Sequence, residues 1–213
     1  MKHNALYAAL VIAFVVAVSA TTTTSRAQTS QPAPAATTPT ATATESQSPE
    51  SSKSESPFPK GTEYYRLQGA YQNQRQGENQ YLATGTFAWG HYFLDNAGFE
   101  VQLNGYNAHD DEDGYGIGIN VLAKYHFINW RRLSLYGDVL GGMFWTSADF
   151  PTGGTEFNFT YAGGPGLSYK IRDGLYIDGG IRFQHVSNFF IEGRDRNPIF
   201  NSFGGYVGLM WTR

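Results

Sequence analysis

From residue 61 to the C-terminus, apolar side chains recur at every second position, and no long stretch shows the 3.6-residue period of an amphipathic helix. In 115–127 the odd positions read Tyr115, Ile117, Ile119, Val121, Ala123, Tyr125 and Phe127, against Gly116, Gly118, Asn120, Leu122, Lys124 and His126 on the even ones. The split recurs in 175–187, where Leu175, Ile177, Ile181 and Phe183 alternate with Asp178, Arg182 and Gln184. It recurs again in 157–169, where Phe157, Phe159, Tyr161, Leu167 and Tyr169 alternate with Asn158, Thr160 and Ser168. Successive side chains of a strand point to opposite faces, so each segment presents one apolar face and one small or polar face.

Eight such segments are readable, at about 63–73, 80–93, 97–107, 114–127, 131–146, 156–170, 174–187 and 201–212. Most exceed the five or six residues usual for strands of soluble sheets and suit a tilted bilayer crossing. The gaps between them alternate long and short, as in a barrel with one end facing the cell exterior and the other the periplasm. Aromatic residues near the ends of the apolar faces fit interfacial girdles. The pattern predicts an all-β fold, an eight-stranded antiparallel transmembrane outer-membrane β-barrel. A lipocalin-like soluble barrel also alternates, but hides its apolar parity inside. An eight-stranded interior is filled by side chains, so Glu100, Lys124, Asp178, Arg182 and Gln184 are expected to pair there, leaving no diffusive pore. Function then belongs on the loops or the outer wall.

Two further zones precede the barrel. Residues 5–20 are an unbroken run of apolar and small residues behind Lys2 and His3, followed by small-x-small sites ending at Ala20 and Ala27. This reads as a signal peptide over 1–20, with cleavage as late as 27. Residues 21–60, rich in Thr, Ser, Pro and Ala with Phe58 as their one aromatic, read as a disordered linker. The barrel takes 61–213.

Composition narrows the chemistry. The 213 residues include no Cys, which excludes disulfides, thiolate metal sites, a Cys nucleophile and a lipoprotein anchor. With 15 Lys+Arg against 18 Asp+Glu there is no basic footprint for nucleic acid. Charged residues make up 15% of the chain, below the roughly 25% of soluble domains, and aromatics equal them at 15%. The acidic run Asp110-Asp111-Glu112-Asp113-Gly114 does not have EF-hand spacing and reads as a solvated turn. His91, His109 and His126 show no ligand spacing, so no metal or cofactor is expected.

The informative string is His185-Val186-Ser187-Asn188. His185 and Ser187 share the odd, lipid-facing side of the seventh segment at its outer-leaflet end. Cβ atoms two apart on a strand lie about 7 Å apart, a span an imidazole can bridge to act as general base to the hydroxyl. The bland alternative is an interfacial His and Ser lying among headgroups.

Phe183 to Asn188, followed by Asn197-Pro198-Ile199-Phe200-Asn201-Ser202 before the last segment, resembles the lipid A 3-O-deacylase (PagL) family. So does the segment 149–159. The similarity covers roughly 120–213 well, and the earlier strands weakly. The resemblance implies an outer-membrane hydrolase that releases an ester-linked 3-hydroxyacyl chain from lipid A in lipopolysaccharide, without a cofactor. It makes Ser187 the nucleophile and His185 the base. The family's third member is a Glu that orients the His. Asn201 stands at that position, and Glu192 is a possible substitute. Asn197 matches a loop Asn assigned to the oxyanion site, and Asn188 belongs to the motif without an assigned role. The final segment, with Phe203, Val207, Leu209 and Trp211 on its apolar face, resembles the terminal strand read by the outer-membrane assembly machinery. A non-catalytic barrel, serving as an adhesin or as an envelope anchor through the tail, is the competing reading, and Asn201 favours it.

Overall fold

The computed structural model describes residues 56–74 and 80–213. The signal peptide and the linker up to residue 55 lie outside the described residues. The rest forms β1 (Glu63–Gln74), β2 (Tyr81–Leu94), β3 (Ala97–His109), β4 (Asp113–Trp130), β5 (Leu133–Phe150), β6 (Thr155–Arg172), β7 (Leu175–Ser187) and β8 (Phe200–Thr212). Each strand pairs antiparallel with the next, and β8 closes on β1. The eight segments expected from the alternation are all present, with β3, β4, β5 and β6 each running a few residues further.

Odd residues face out and even residues face in through most of every strand. Leu67, Phe87, Leu103, Ile117, Ile119, Val139, Ile181 and Val207 stand exposed on the outer wall, while Arg66, Gln102, Leu122, Lys124, Asp138 and Asp178 are buried in the lumen. A continuous apolar wall of this kind is stable against hydrocarbon, not against water. The parity survives the turns for a reason that lies in the turns themselves. Two residues separate β2 from β3, β4 from β5 and β6 from β7. Such a turn pairs an odd position with an even one, as Leu94 with Ala97, Trp130 with Leu133 and Arg172 with Leu175. A bulge within the next few residues of each hairpin then shifts the register by one and restores odd with odd. Asn96, Arg131 and Gly174 take left-handed φ at these turns.

The lumen is layered. At its middle the Arg66 guanidinium pairs with Glu100, and Lys124 Nζ lies 3.7 Å from Asp178 and 3.9 Å from Glu100. Arg182 makes a two-pronged bond to Asp138 at 2.9 and 2.7 Å, stacks over the Tyr206 ring, and Tyr206 Oη donates to the same carboxylate at 3.0 Å. Three cations thus face three carboxylates, so the buried charge balances. Apolar plugs close both ends. Leu82, Tyr106, Ala108, Phe144, Phe150, Val186 and Phe200 cluster under the long loops, and Phe58, Tyr64, Tyr92, Tyr176 and Met210 cluster at the short-turn end. Gly90 is needed in the second plug, because the Tyr64 ring occupies the place of its Cβ at 2.1 Å.

The second plug includes a residue assigned above to the linker. Phe58 is fully buried and stacks on Tyr92 at 5.1 Å and His126 at 4.1 Å. Its carbonyl accepts from Asn96 N–H at 2.8 Å, Lys60 N–H donates to Asp95 at 2.8 Å, and Ser56 Oγ donates to Asn96 at 2.7 Å. The packed part of the chain therefore begins by Ser56, not at residue 61. A polar, Pro-rich context hid an aromatic whose burial area is supplied by the barrel mouth rather than by its sequence neighbours.

Candidate active site

The alternation of β7 puts His185 and Ser187 on the outward side, and strand pairing then determines what stands beside them. His185 is opposite Tyr161 on β6 and opposite Asn201 on β8, so three odd residues form one row across three strands. Ser187 lies one step nearer the long loops, opposite Phe159.

His185 Nδ1 lies 2.7 Å from Asn201 Oδ1, and His185 Nε2 lies 3.3 Å from Ser187 Oγ. An amide oxygen only accepts, so the proton of the neutral ring sits on Nδ1. That leaves the Nε2 lone pair facing the serine hydroxyl, the tautomer a general base requires. The Nε2–Oγ distance is long for a hydrogen bond. Tyr161 covers the imidazole face, with ring centroids 4.6 Å apart and planes 23° from parallel. Below the row, the Phe183 and Phe203 rings meet edge to face at 5.4 Å, so the wall descending into the membrane from the site is aromatic.

Ser187 is only 6% exposed despite its outward parity. Phe189, the second residue of the loop 188–199, meets Phe159 edge to face at 5.3 Å. Phe189 and Phe190 both take positive φ, a strained conformation for aromatic residues that the surrounding loop must hold. Asn188 supplies much of that hold. Its Oδ1 accepts from Phe190 N–H at 3.0 Å, and its Nδ2 donates to Thr155 Oγ1 at 3.2 Å and to the Arg196 carbonyl at 2.5 Å. Arg196 extends the brace to the β5–β6 turn through Gly154 O at 2.9 Å and Asp149 at 3.2 Å.

Asn197 Oδ1 accepts from Asn188 N–H at 2.9 Å, which turns its carbonyl into the loop and leaves its –NH2 without a bond among the described residues. Glu192 is drawn away from the imidazole, because its carboxylate pairs with Arg196 while Asn201 takes Nδ1. The structure thus brings together Ser187, His185 and Asn201, joins Asn188 to Asn197, and does not bring Glu192 to His185. Tyr161 and Arg196 were not singled out in the sequence. Tyr161 was visible there as an outward residue, but its register against His185 depends on the β6–β7 bulge. In the acidic turn, Asp110 accepts from Gln80 Nε2 at 2.8 Å and Thr152 N–H at 2.7 Å, so it acts as a loop tie.

A family model described as lipid A 3-O-deacylase (PagL) matches residues 63–210. No curated protein matches the chain in sequence. Among solved structures, Neisserial surface protein A is 15% identical with a TM-score of 0.48, covering 70% of this chain and 95% of its own. The N-terminal β-barrel domain of Pseudomonas aeruginosa OprF is 14% identical with a TM-score of 0.46, covering 72% and 98%. The outer membrane protein AlkL is 9% identical with a TM-score of 0.42, covering 84% and 96%.

Proposed function

The chain belongs to the lipid A 3-O-deacylase (PagL) family, an outer-membrane β-barrel family of ester hydrolases, and from that premise we propose that Ser187 and His185 deacylate lipid A on the barrel's outer wall. The observation that carries this reading is the relay Asn201–His185–Ser187 on the lipid-facing side, with hydrogen-bond partners that fix the base tautomer. The substrate is an amphiphile already resident in the outer leaflet. Its sugar stays among headgroups while the ester at the 3-position descends to Ser187.

Ser187 Oγ attacks the ester carbonyl as His185 Nε2 takes its proton. The tetrahedral oxyanion is met by a donor, for which the Asn197 –NH2 is suited. His185 returns the proton to the departing sugar oxygen, leaving an acyl-serine. Water, deprotonated by the same imidazole, then releases the 3-hydroxy fatty acid and regenerates the hydroxyl. Trp211 on the last strand suits recognition by the outer-membrane assembly machinery.

Lipid A from cells expressing the chain and from cells expressing Ser187→Ala is compared by mass spectrometry. Loss of one ester-linked chain only with the native serine is the expected result, and equal acyl counts sink the proposal. Asn201, a neutral residue where the family has a Glu, favours the second reading, a non-catalytic envelope barrel. Equal acyl counts would leave that reading standing.

A further inference from the structure

Base catalysis by His185 creates an imidazolium, and Asn201 brings no negative charge to it. The rest of the ring's surroundings must carry that load. Ser187 and Asn201 take the two nitrogens, and Tyr161 takes one face of the ring at 4.6 Å and 23°, close to parallel. The face of an aromatic ring carries the negative part of its quadrupole and attracts a cation within about 6 Å. The stacking is imposed by register, since Tyr161 and His185 are directly paired across β6 and β7. The residue opposite Tyr161 on β5 is Gly141, which offers no side chain to pull the ring away. The Tyr161 hydroxyl makes no hydrogen bond among the described residues, so the contact is made by the ring.

We propose that Tyr161 is a positioning and charge-stabilising residue, whose π face holds the His185 imidazolium in place of the carboxylate absent at 201. This inference rests on the Ser187–His185 reading. It does not require lipid A to be the substrate, and that separates the two tests.

The probe is a fluorophosphonate, applied to the full chain folded in phospholipid bilayers. Ser187 Oγ attacks phosphorus, fluoride leaves with the P–F electron pair, and the serine proton passes to His185. Labelling reports the imidazolium step without the lipid substrate. A stacked, half-exposed cation–π contact of about 1 kcal/mol corresponds to about a five-fold rate change. Tyr161→Leu is expected to label about five-fold more slowly, and Tyr161→Phe at close to the native rate. Phenylalanines bearing one, two and three ring fluorines at position 161 keep the ring's shape while draining its face, and are expected to slow labelling stepwise. In an Asn201→Asp background, where a carboxylate takes over, the Tyr161→Leu loss is expected to shrink to less than two-fold.

A purely packing role would survive fluorination. Rates that stay flat across the fluorinated series overturn the inference, and so does failure of the native chain to label at Ser187. Labelling that follows ring fluorination alongside unchanged lipid A acyl counts would keep this inference and reject only lipid A as the substrate.

Discussion

Replacing Asn201 with Asp tests the chemistry of the relay without moving it. The two side chains are isosteric, so a carboxylate oxygen takes the place of Oδ1 at 2.7 Å from His185 Nδ1. Glu would bring the same charge one methylene further and disturb that contact. Unit charges about 4 Å apart interact by about 1 kcal/mol in water and about 4 kcal/mol in a surface environment of lower dielectric. Asn201 faces outward at the headgroup end of the wall, where hydrated headgroups screen it, which places the gain between those limits at about 1–2 kcal/mol. That lowers the barrier only where the imidazole is charged, so kcat rises about 5- to 30-fold while KM stays near its native value. The assay follows release of 3-hydroxy fatty acid from lipopolysaccharide in mixed micelles, with heat-modified gel mobility confirming that each variant is a closed barrel. Asn201→Ala removes the acceptor and frees the ring, and is expected to lower kcat. An Asn201→Asp protein that is folded, active and within two-fold of native kcat would refute the claim that the relay lacks charge at this position.

Three further outcomes follow from the barrel. Arg182→Leu leaves the Asp138 carboxylate buried without its two-pronged partner and is expected to destabilise by about 3–5 kcal/mol in urea titrations in lipid vesicles, with Asp138→Leu in the same chain restoring much of the loss. Gly90→Ala drives a Cβ into the Tyr64 ring and is expected to lose about 1–3 kcal/mol, whereas Gly69→Ala, with nothing within 4 Å of its Cβ, is expected to be nearly neutral. Phe58→Ala is expected to lower the thermal unfolding midpoint through a loss of about 3 kcal/mol, at the low end for a buried Phe because the N-terminal strap can withdraw; an unchanged midpoint would deny that it plugs the floor.

Much of this architecture was legible because hydrocarbon on one side and a packed lumen on the other force strict alternation. Ile117, Ile119 and Val121 declare the wall, and Asn120, Lys124 and Asp178 the interior, with no need of tertiary information. The outward position of His185 and Ser187 followed from the same count. What the alternation does not carry is pairing across strands. That His185 stands opposite Tyr161 depends on a bulge near Arg172, which leaves no mark in composition, and that it stands opposite Asn201 depends on the register of β7 with β8. The roles of Asn188 and Arg196 were hidden for another reason. Both act through long-range bonds to Thr155, Gly154 and Asp149 across the barrel rim, which adjacent sequence does not encode. Phe58 was misread because a tail of Thr, Ser and Pro has no core of its own, and the chain borrows one from the barrel floor.

The bulge beside each short turn gives the chain something like a two-letter reading frame. Every hairpin at the floor introduces an odd count and cancels it at once, so membrane and lumen are spelled in one phase from Glu63 to Thr212. Partners on either side of a bulge share a face whether or not the extra residue is present, so a residue lost at a bulge straightens the strand end and leaves the faces downstream as they were. The histidine and serine would keep their outward side, with Arg182 and Gln184 still filling the space within. The surface that meets the lipid is thus guarded at the opposite mouth of the cylinder, by bends that absorb a change in length before it reaches the wall.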